Sequence, residues 1–251
     1  MRTTVSWHGR AILANGWATF EGRTGDNRPH AHHALQLAVG MDGEVGIRIA
    51  DDEVRAPGLL IGADVVHALL PTAGRLRLLF VDRESQAGRR LSAGCRRGFR
   101  VLDARTCAIL RALWPADDSP DALQPLLSVL ACPVCPPRAH SDSAALARVR
   151  ALVDALPHRE RLDLPQAALA AEAALSPSRF AHLFRGMTGL PLRPWLRWLR
   201  LQRALRLAAT GRSLTEAAHA AGFADAAHLT RTVRRHFGIA PSTLVSLLAR
   251  R

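Results

Sequence analysis

The sequence predicts an α+β chain in two domains, a β-barrel or sandwich followed by an all-helical domain. Three observations carry that prediction. From residue 5 to about residue 82, short apolar runs alternate with Gly, Asp and Pro breaks, as strands do. From Ala144 onward, apolar residues recur at helical spacing. Finally, "LPQAALAAEAALSPSRFAHLFRGMTGLP" (Leu164–Pro191) returns 49 positions later within "SLTEAAHAAGFADAAHLTRTVRRHFGIAPS" (Ser213–Ser242): Ser176 falls on Asp225, Phe180 on Leu229, Phe184 on Val233, Arg185 on Arg234 and Gly189 on Gly238.

Within the first domain, "HALQLAVG" (His33–Gly40) is a strand candidate, "MDGE" a turn through Asp42-Gly43, and "VGIRIA" the return strand. "GLLIGADVVHALLP" and "RLRLLFVD" give further strand regions, so the expected unit spans residues 1–98. The period then changes. "VLDARTCAILRALW" and "ALQPLLSVLA", the latter started by Asp121 or Ser119, predict a helical hairpin over 99–131. "CPVCPPRAHSDS" (Cys132–Ser143) carries prolines that stop any helix, so residues 132–143 read as the linker and 144–251 as the second domain.

Each copy of the repeat reads as two short helices around a tight turn. In the first copy, Ser176 is the expected N-cap and Pro177 the first helical residue. Phe180, Leu183, Phe184 and Met187 then make one buried stripe. In the second, Ser213 and Glu216 form a capping box, Gly222-Phe223 turns the chain, Asp225 caps, and Leu229, Val233 and Phe237 form the stripe. Such a pair is a helix-turn-helix whose second helix fits a DNA major groove. Between the copies, "RPWLRWLRLQRALRLAA" predicts a rod of about 25 Å, which sets the two reading helices roughly one duplex turn apart.

Charge agrees with a polyanionic partner. The net charge is +13 and no Lys occurs, so all 34 cations are Arg. Residues 1–144 hold 17 Arg against 15 acids, a net of +2, whereas residues 145–251 hold 17 Arg against 6 acids, a net of +11. Four cysteines make no dense disulfide framework, which fits a reducing compartment. Neither a secretory leader nor a membrane-length apolar run is visible, so the expectation is a cytoplasmic protein.

The stretch "AAEAALSPSRFAHLFRGMTGLPLRPWLRWLRLQRALRLAATGRSLTEAAHAAGFADAAHLTRTVRRHFGIAPS" closely resembles the DNA-binding domain of the AraC (arabinose-operon regulator) family, above all in "AAxxAGFxDxxHLxRxxRR" and "RxxFGxxPS". The resemblance implies base contacts from Ser178, Arg179, Ala181 and His182 in the first unit. In the second it implies Ala226, Ala227, His228, Thr230 and Arg231. The two alanines depart from a strong base reader, since alanine touches only a thymine methyl, which shifts the second unit towards phosphate contacts. Phosphate candidates are Arg185, Arg200, Arg203, Arg234 and Arg235.

More weakly, "RPHAHHALQLAVGMDGEVGIRIADDEVRAPGLLIGADVVHALL" resembles the cupin-like sensing domain that often precedes this reader. The fold expected is then a cupin-like β-barrel with a helical hairpin, followed by a double helix-turn-helix. His30, His32, His33 and His67, with Gln36 nearby, are candidates to bind an effector or a divalent metal. The plainer alternative has them only lining a pocket or bonding backbone. Cys132 and Cys135 have redox or metal-ligand spacing, against the alternative of two free thiols. The hairpin resembles a segment through which the family commonly dimerises, against the alternative that it only seals the barrel.

The leading expectation is a ligand-responsive transcription regulator, activator or repressor, with RNA polymerase a candidate partner, no catalytic residues and no certain cofactor. Two rivals are a metal-dependent cupin enzyme fused to a DNA-binding module and a constitutive DNA binder with a vestigial barrel.

Overall fold

The computed structural model describes residues 7–25, 29–70, 74–92, 94–95, 98–117, 119, 121–130 and 143–248. In chain order the strands are β1 (His8–Ala14), β2 (Trp17–Arg23), β3 (Ala34–Gly40), β4 (Val45–Ile49), β5 (Asp52–Ala56), β6 (Gly58–Ile61), β7 (Ala68–Leu69), β8 (Leu76–Asp82) and β9 (Phe99–Leu102). They form two antiparallel sheets, one of six strands ordered β1-β2-β8-β3-β6-β9 and one of three ordered β5-β4-β7.

Strand β3 explains the layering. Its side chains alternate between faces, yet every one is buried. Ala34 and Ala38 join the core between the sheets, with Ile47, Leu69 and Phe80. Leu35, Leu37 and Val39 pack outward against α2 (Ala104–Ala112) and α3 (Gln124–Leu130) through Cys107, Leu110, Leu126, Leu127 and Leu130. The helical hairpin is therefore a third layer covering the six-stranded sheet. Arginines fasten it: Arg111 donates to the Gly40 carbonyl at 2.7 Å, Arg77 to the Arg111 carbonyl at 2.8 Å, and Arg100 to the Leu130 carbonyl at 3.0 Å.

Two local expectations are corrected. "VGIRIA" does not return against β3, because β4 pairs with β5 and β7 in the other sheet while β3 lies between β8 and β6. The "MDGE" turn thus leads across the core, where both faces of β3 need partners distant in sequence. The hairpin also starts later than residue 99, since Phe99–Leu102 is β9, paired with β6, and Asp103 caps α2 by accepting from Thr106 N at 2.7 Å. A short helix, α1 (Gln86–Ser92), precedes β9. The predicted linker lies outside the described residues except for Ser143.

From Ser143 the chain is helical: α4 (Ser143–Ala155), a 3₁₀ turn (Leu156–His158), α5 (Gln166–Glu172), α6 (Pro177–Thr188), α7 (Leu192–Ala209), α8 (Leu214–Ala220), α9 (Ala226–Phe237) and α10 (Pro241–Leu248). The helical half is docked on the sheets through a continuous apolar core. Phe237 stacks edge-on with Phe80, the ring centroids 5.6 Å apart, and Leu244 and Leu247 of α10 lie with Trp7 and Phe20. Polar ties frame it. The Trp198 indole N–H donates to the buried Asp82 carboxylate at 2.7 Å, and the Gln202 amide donates to Asn15 Oδ1 at 2.6 Å.

Candidate nucleic-acid interface and a buried histidine cluster

The internal repeat is a repeat of cap geometry. Helices α6 and α9 each have 12 residues, begin 49 positions apart at Pro177 and Ala226, and end 49 apart at Thr188 and Phe237. Ser176 and Asp225 cap them by accepting from the backbone N–H groups of Arg179 and His228. Gly189 and Gly238 close them in the left-handed region at φ 72° and 70°. The preceding turns differ. Ala174 at φ 51° serves the first and Gly222 at φ 82° the second, and two residues rather than one then lead to the N-cap. In both turns the following residue, Leu175 or Phe223, donates back to the carbonyl of Ala170 or Ala218 at 2.9 Å. The capping box at Ser213 and Glu216 forms as expected.

Phe180, Leu183, Phe184, Leu229, Val233 and Phe237 are buried as expected; Met187 is only half-buried. The opposite flanks carry the residues expected to meet DNA. Ser178, Arg179, His182, Ala227, His228 and Arg231 are exposed, while Ala181, Ala226 and Thr230 are half-buried. The Thr230 hydroxyl donates to the Ala226 carbonyl at 2.8 Å.

The five phosphate candidates separate into two groups. Arg185, Arg234 and Arg235 are exposed on α6 and α9. Arg200 and Arg203 on α7 point elsewhere. They donate to the carbonyls of Leu162, Glu160, Pro157 and Arg159, holding the loop between the 3₁₀ turn and α5. On the same helix, Arg197 approaches Glu84 of the sheet domain at 4.0 Å.

His30, His32 and His67 come together, each offering a ring nitrogen within 4.8 Å of the others. Backbone pairing makes this happen: His30 and His67 face each other across an isolated antiparallel bridge with two 2.9 Å hydrogen bonds, while His32 lies just before β3 and Gln36 on it. His33 does not join them. It turns to Asp64, Nδ1 lying 3.3 Å from the carboxylate, because successive residues point to opposite sides of an extended chain. Burial pushes the His67 imidazole down to about 3, with His32 the next cause. Burial likewise depresses His32, opposed by its bond to Gln36.

The core between the sheets is filled by side chains such as Phe20, Val45, Ile47, Leu59, Ile61 and Leu78. A cavity of about 590 Å³ lies instead between the halves, with Trp17, Arg90, Arg150, Trp195 and Gln202 in its wall. Sequence reasoning missed it, because its wall is assembled from segments scattered between Ala14 and Gln202 and none carries a local signature. Cys132, Cys135 and His140 lie outside the described residues. Cys95 is half-buried and Cys107 buried, both free thiols, and among the described residues neither belongs to a metal-ligand cluster.

Residues 169–246 match a family model described as a helix-turn-helix domain, spanning α6 to α9 with most of α5 and α10. Over those residues the chain is similar to a helix-turn-helix domain. Among solved structures, ToxT from Vibrio cholerae O395 is 11% identical over 98% of this chain and 99% of its own, with a TM-score of 0.44. The DNA-binding domain of AdpA, a global transcriptional factor solved with a target DNA, is 33% identical over 41% of this chain and 90% of its own, with a TM-score of 0.35. A transcriptional regulator from Chromobacterium violaceum is 23% identical over 43% of this chain and 98% of its own, with a TM-score of 0.38. No curated protein matches the chain. No helix among the described residues is long and apolar enough to cross a membrane.

Proposed function

We propose that this chain is a sequence-specific transcription regulator whose hold on DNA answers to an effector taken up by the sheet domain or at its junction with the helices. One observation carries the first part: two 12-residue helices with matching caps, each exposing a polar flank, in the segment that matches the helix-turn-helix model. An 18-residue α7 spans about 27 Å, which suits two successive major grooves. Ser178, Arg179, Ala181 and His182 then meet base edges from α6, and Ala226, Ala227, His228, Thr230 and Arg231 from α9. Arg185, Arg234 and Arg235 meet phosphates. The junction cavity, where Arg90 and Arg150 are balanced by Asp121 and Asp154 in a wall of mixed polar and apolar side chains, has room for a small polar ligand. The reading puts the protein in the cytoplasm as a homodimer working with RNA polymerase, with dimer contacts on the outer side of α2 and α3, where Ile109 is exposed.

Genome-wide footprinting tests this by recovering a shared sequence beside the regulated genes. On that sequence, Arg179→Ala or Arg231→Ala is expected to weaken binding by about 1–3 kcal/mol and relax preference at one base pair. Equal weakening on scrambled DNA would return the residue to the phosphate set.

A further inference from the structure

We infer that the connection between β8 and α1 is a third DNA-facing element: Arg83 and Arg89 lie in a basic band between the C-terminal ends of α6 and α9 and hold phosphates of the minor groove between the two read major grooves. This contact rests on the function proposed above and extends it to the sheet domain.

Both reading helices end against that domain. A helix-turn-helix unit reads bases with the N-terminal residues of its second helix, so the C-terminal turn leaves the groove beside the phosphate backbone. Arg179, His182 and Arg185 follow one another at three-residue spacing down one exposed flank of α6. On α9, His228, Arg231, Arg234 and Arg235 form the matching row. At the end of α6, a Cβ on Gly16 would meet Leu190 at 2.9 Å and Ser85 at 3.9 Å. The residue before α1 therefore sits beside the residue that follows the α6 cap. At the end of α9, the His33 backbone N–H donates to Arg235 O at 2.7 Å.

The segment from Asp82 to Arg89 lies between these two ends. Its acids turn inward to α7: Asp82 accepts from the Trp198 indole, and Glu84, with its Oε2 buried, approaches Arg197 at 4.0 Å. Its Arg83 and Arg89 are exposed. Towards α9, Arg83 pairs with Asp64, whose other oxygen lies 3.3 Å from His33, the residue that holds Arg235. Towards α6, Arg89 feels Arg185: burial, and then the Arg185 charge, lower its guanidinium from the ordinary range against the pull of Glu84. Local bonds fix it there, its backbone N–H donating to Ser85 O at 3.0 Å and its side chain to the Glu84 carbonyl. Exposed cations thus run from one reading helix to the other through Arg185, Arg89, Arg83 and Arg235.

On one face of a duplex, two major grooves one turn apart enclose one minor groove. The phosphates along its two edges are the anions that such a band meets. Arg185 and Arg89 repel each other, and a phosphate between them replaces that repulsion with two attractions. The Arg83–Asp64 pair is half-exposed, so exchanging the carboxylate for a phosphate costs little.

Full-length protein is titrated onto a duplex carrying the footprinted sequence, by fluorescence anisotropy across a salt series. Arg89→Ala and Arg83→Ala are each expected to flatten the plot of log K against log salt by about one unit, as Arg185→Ala does, and to weaken cognate and scrambled duplex equally. Arg89→Glu should weaken binding at least tenfold. Arg83→Lys, which keeps the charge, should keep the parent slope, and so should Arg55→Ala on β5 of the other sheet. Hydroxyl radicals attack the sugars from the minor groove. Their cleavage should be reduced across the enclosed minor groove in the parent complex and restored in the Arg83→Ala, Arg89→Ala double variant. A slope that Arg185→Ala flattens and the double variant leaves unchanged overturns the contact. Tighter binding by the double variant also overturns it, since the sheet domain then obstructs the DNA. Competition by inorganic phosphate at constant ionic strength that Arg89→Ala abolishes assigns the gap beside Arg185 to a free anion and overturns it as well. A parent protein that binds no duplex overturns the function proposed above, and this contact with it.

Discussion

At the scale of single residues, an arginine's partner decides its role more than its count does. Arg234 is exposed on α9, whereas Arg203 is tied to three carbonyls of one loop. Arg234→Ala is expected to flatten the plot of log K against log salt by about one unit. Arg203→Ala should leave that slope unchanged and lower the unfolding free energy instead, because it strands loop carbonyls. Fluorescence anisotropy across a salt series and urea unfolding separate the two. In the sequence Arg193, Arg197, Arg200, Arg203 and Arg206 recur every three to four residues along α7, but spacing cannot reveal that a loop passes over part of such a stripe. A second residue-scale consequence concerns acid. Burial depresses the His236 imidazole, against the opposing bond from its Nδ1 to the Thr232 carbonyl. The unfolded chain takes up that proton near pH 6.5 and the folded chain resists it, so its stabilising share is present above about pH 6.5 and is lost as pH falls. His236→Gln should make unfolding free energy less sensitive to pH between about 7.5 and 5; an unaltered slope would show that His236 does not contribute.

At the scale of elements, the caps were the most legible feature. Ser176, Asp225 and the Ser213–Glu216 box have side chains that can satisfy only a local backbone donor, so position in sequence fixes position in space. Strand partners were not legible: nothing within "VGIRIA" says that its neighbour is "DEVRA" rather than β3. Phe99–Leu102 fitted a helical period only because it adjoins α2. The histidines were legible as a set, and the extended chain then separated His33 from His30, His32 and His67. The turns between paired helices offer a direct check. Ala174 sits at φ 51°, where a Cβ is strained, and its counterpart in the second unit is glycine. Ala174→Gly should raise stability by about 0.5–1 kcal/mol, the strain relieved exceeding the added freedom of the unfolded chain. A fall in the urea midpoint would show that this turn is not strained.

At the scale of the whole molecule, the two halves are joined by packing as well as by sequence. The buried Trp198–Asp82 hydrogen bond spans 116 positions, and Phe237 of α9 lies against Phe80 of β8. Asp82→Ala, which leaves the indole N–H unpartnered, should cost about 1–3 kcal/mol. The loss should register equally in helical circular dichroism and in tryptophan fluorescence during one unfolding transition. Separate transitions, with only one moved, would mean that the halves fold independently. This junction was invisible in the sequence, because Trp198, Phe237 and Leu247 read equally well as the private core of a helical domain.

That shared core has a practical consequence for anyone dissecting the protein. Residues 145–251 produced alone would present Trp198, Phe237, Leu244 and Leu247 to water where the sheet half covers them now. Such a fragment is expected to self-associate or bind detergent, and its behaviour on DNA would be that of an exposed apolar surface as much as of a regulator. A chain nicked by protease between Leu130 and Ser143, by contrast, should still elute from a sizing column as one particle.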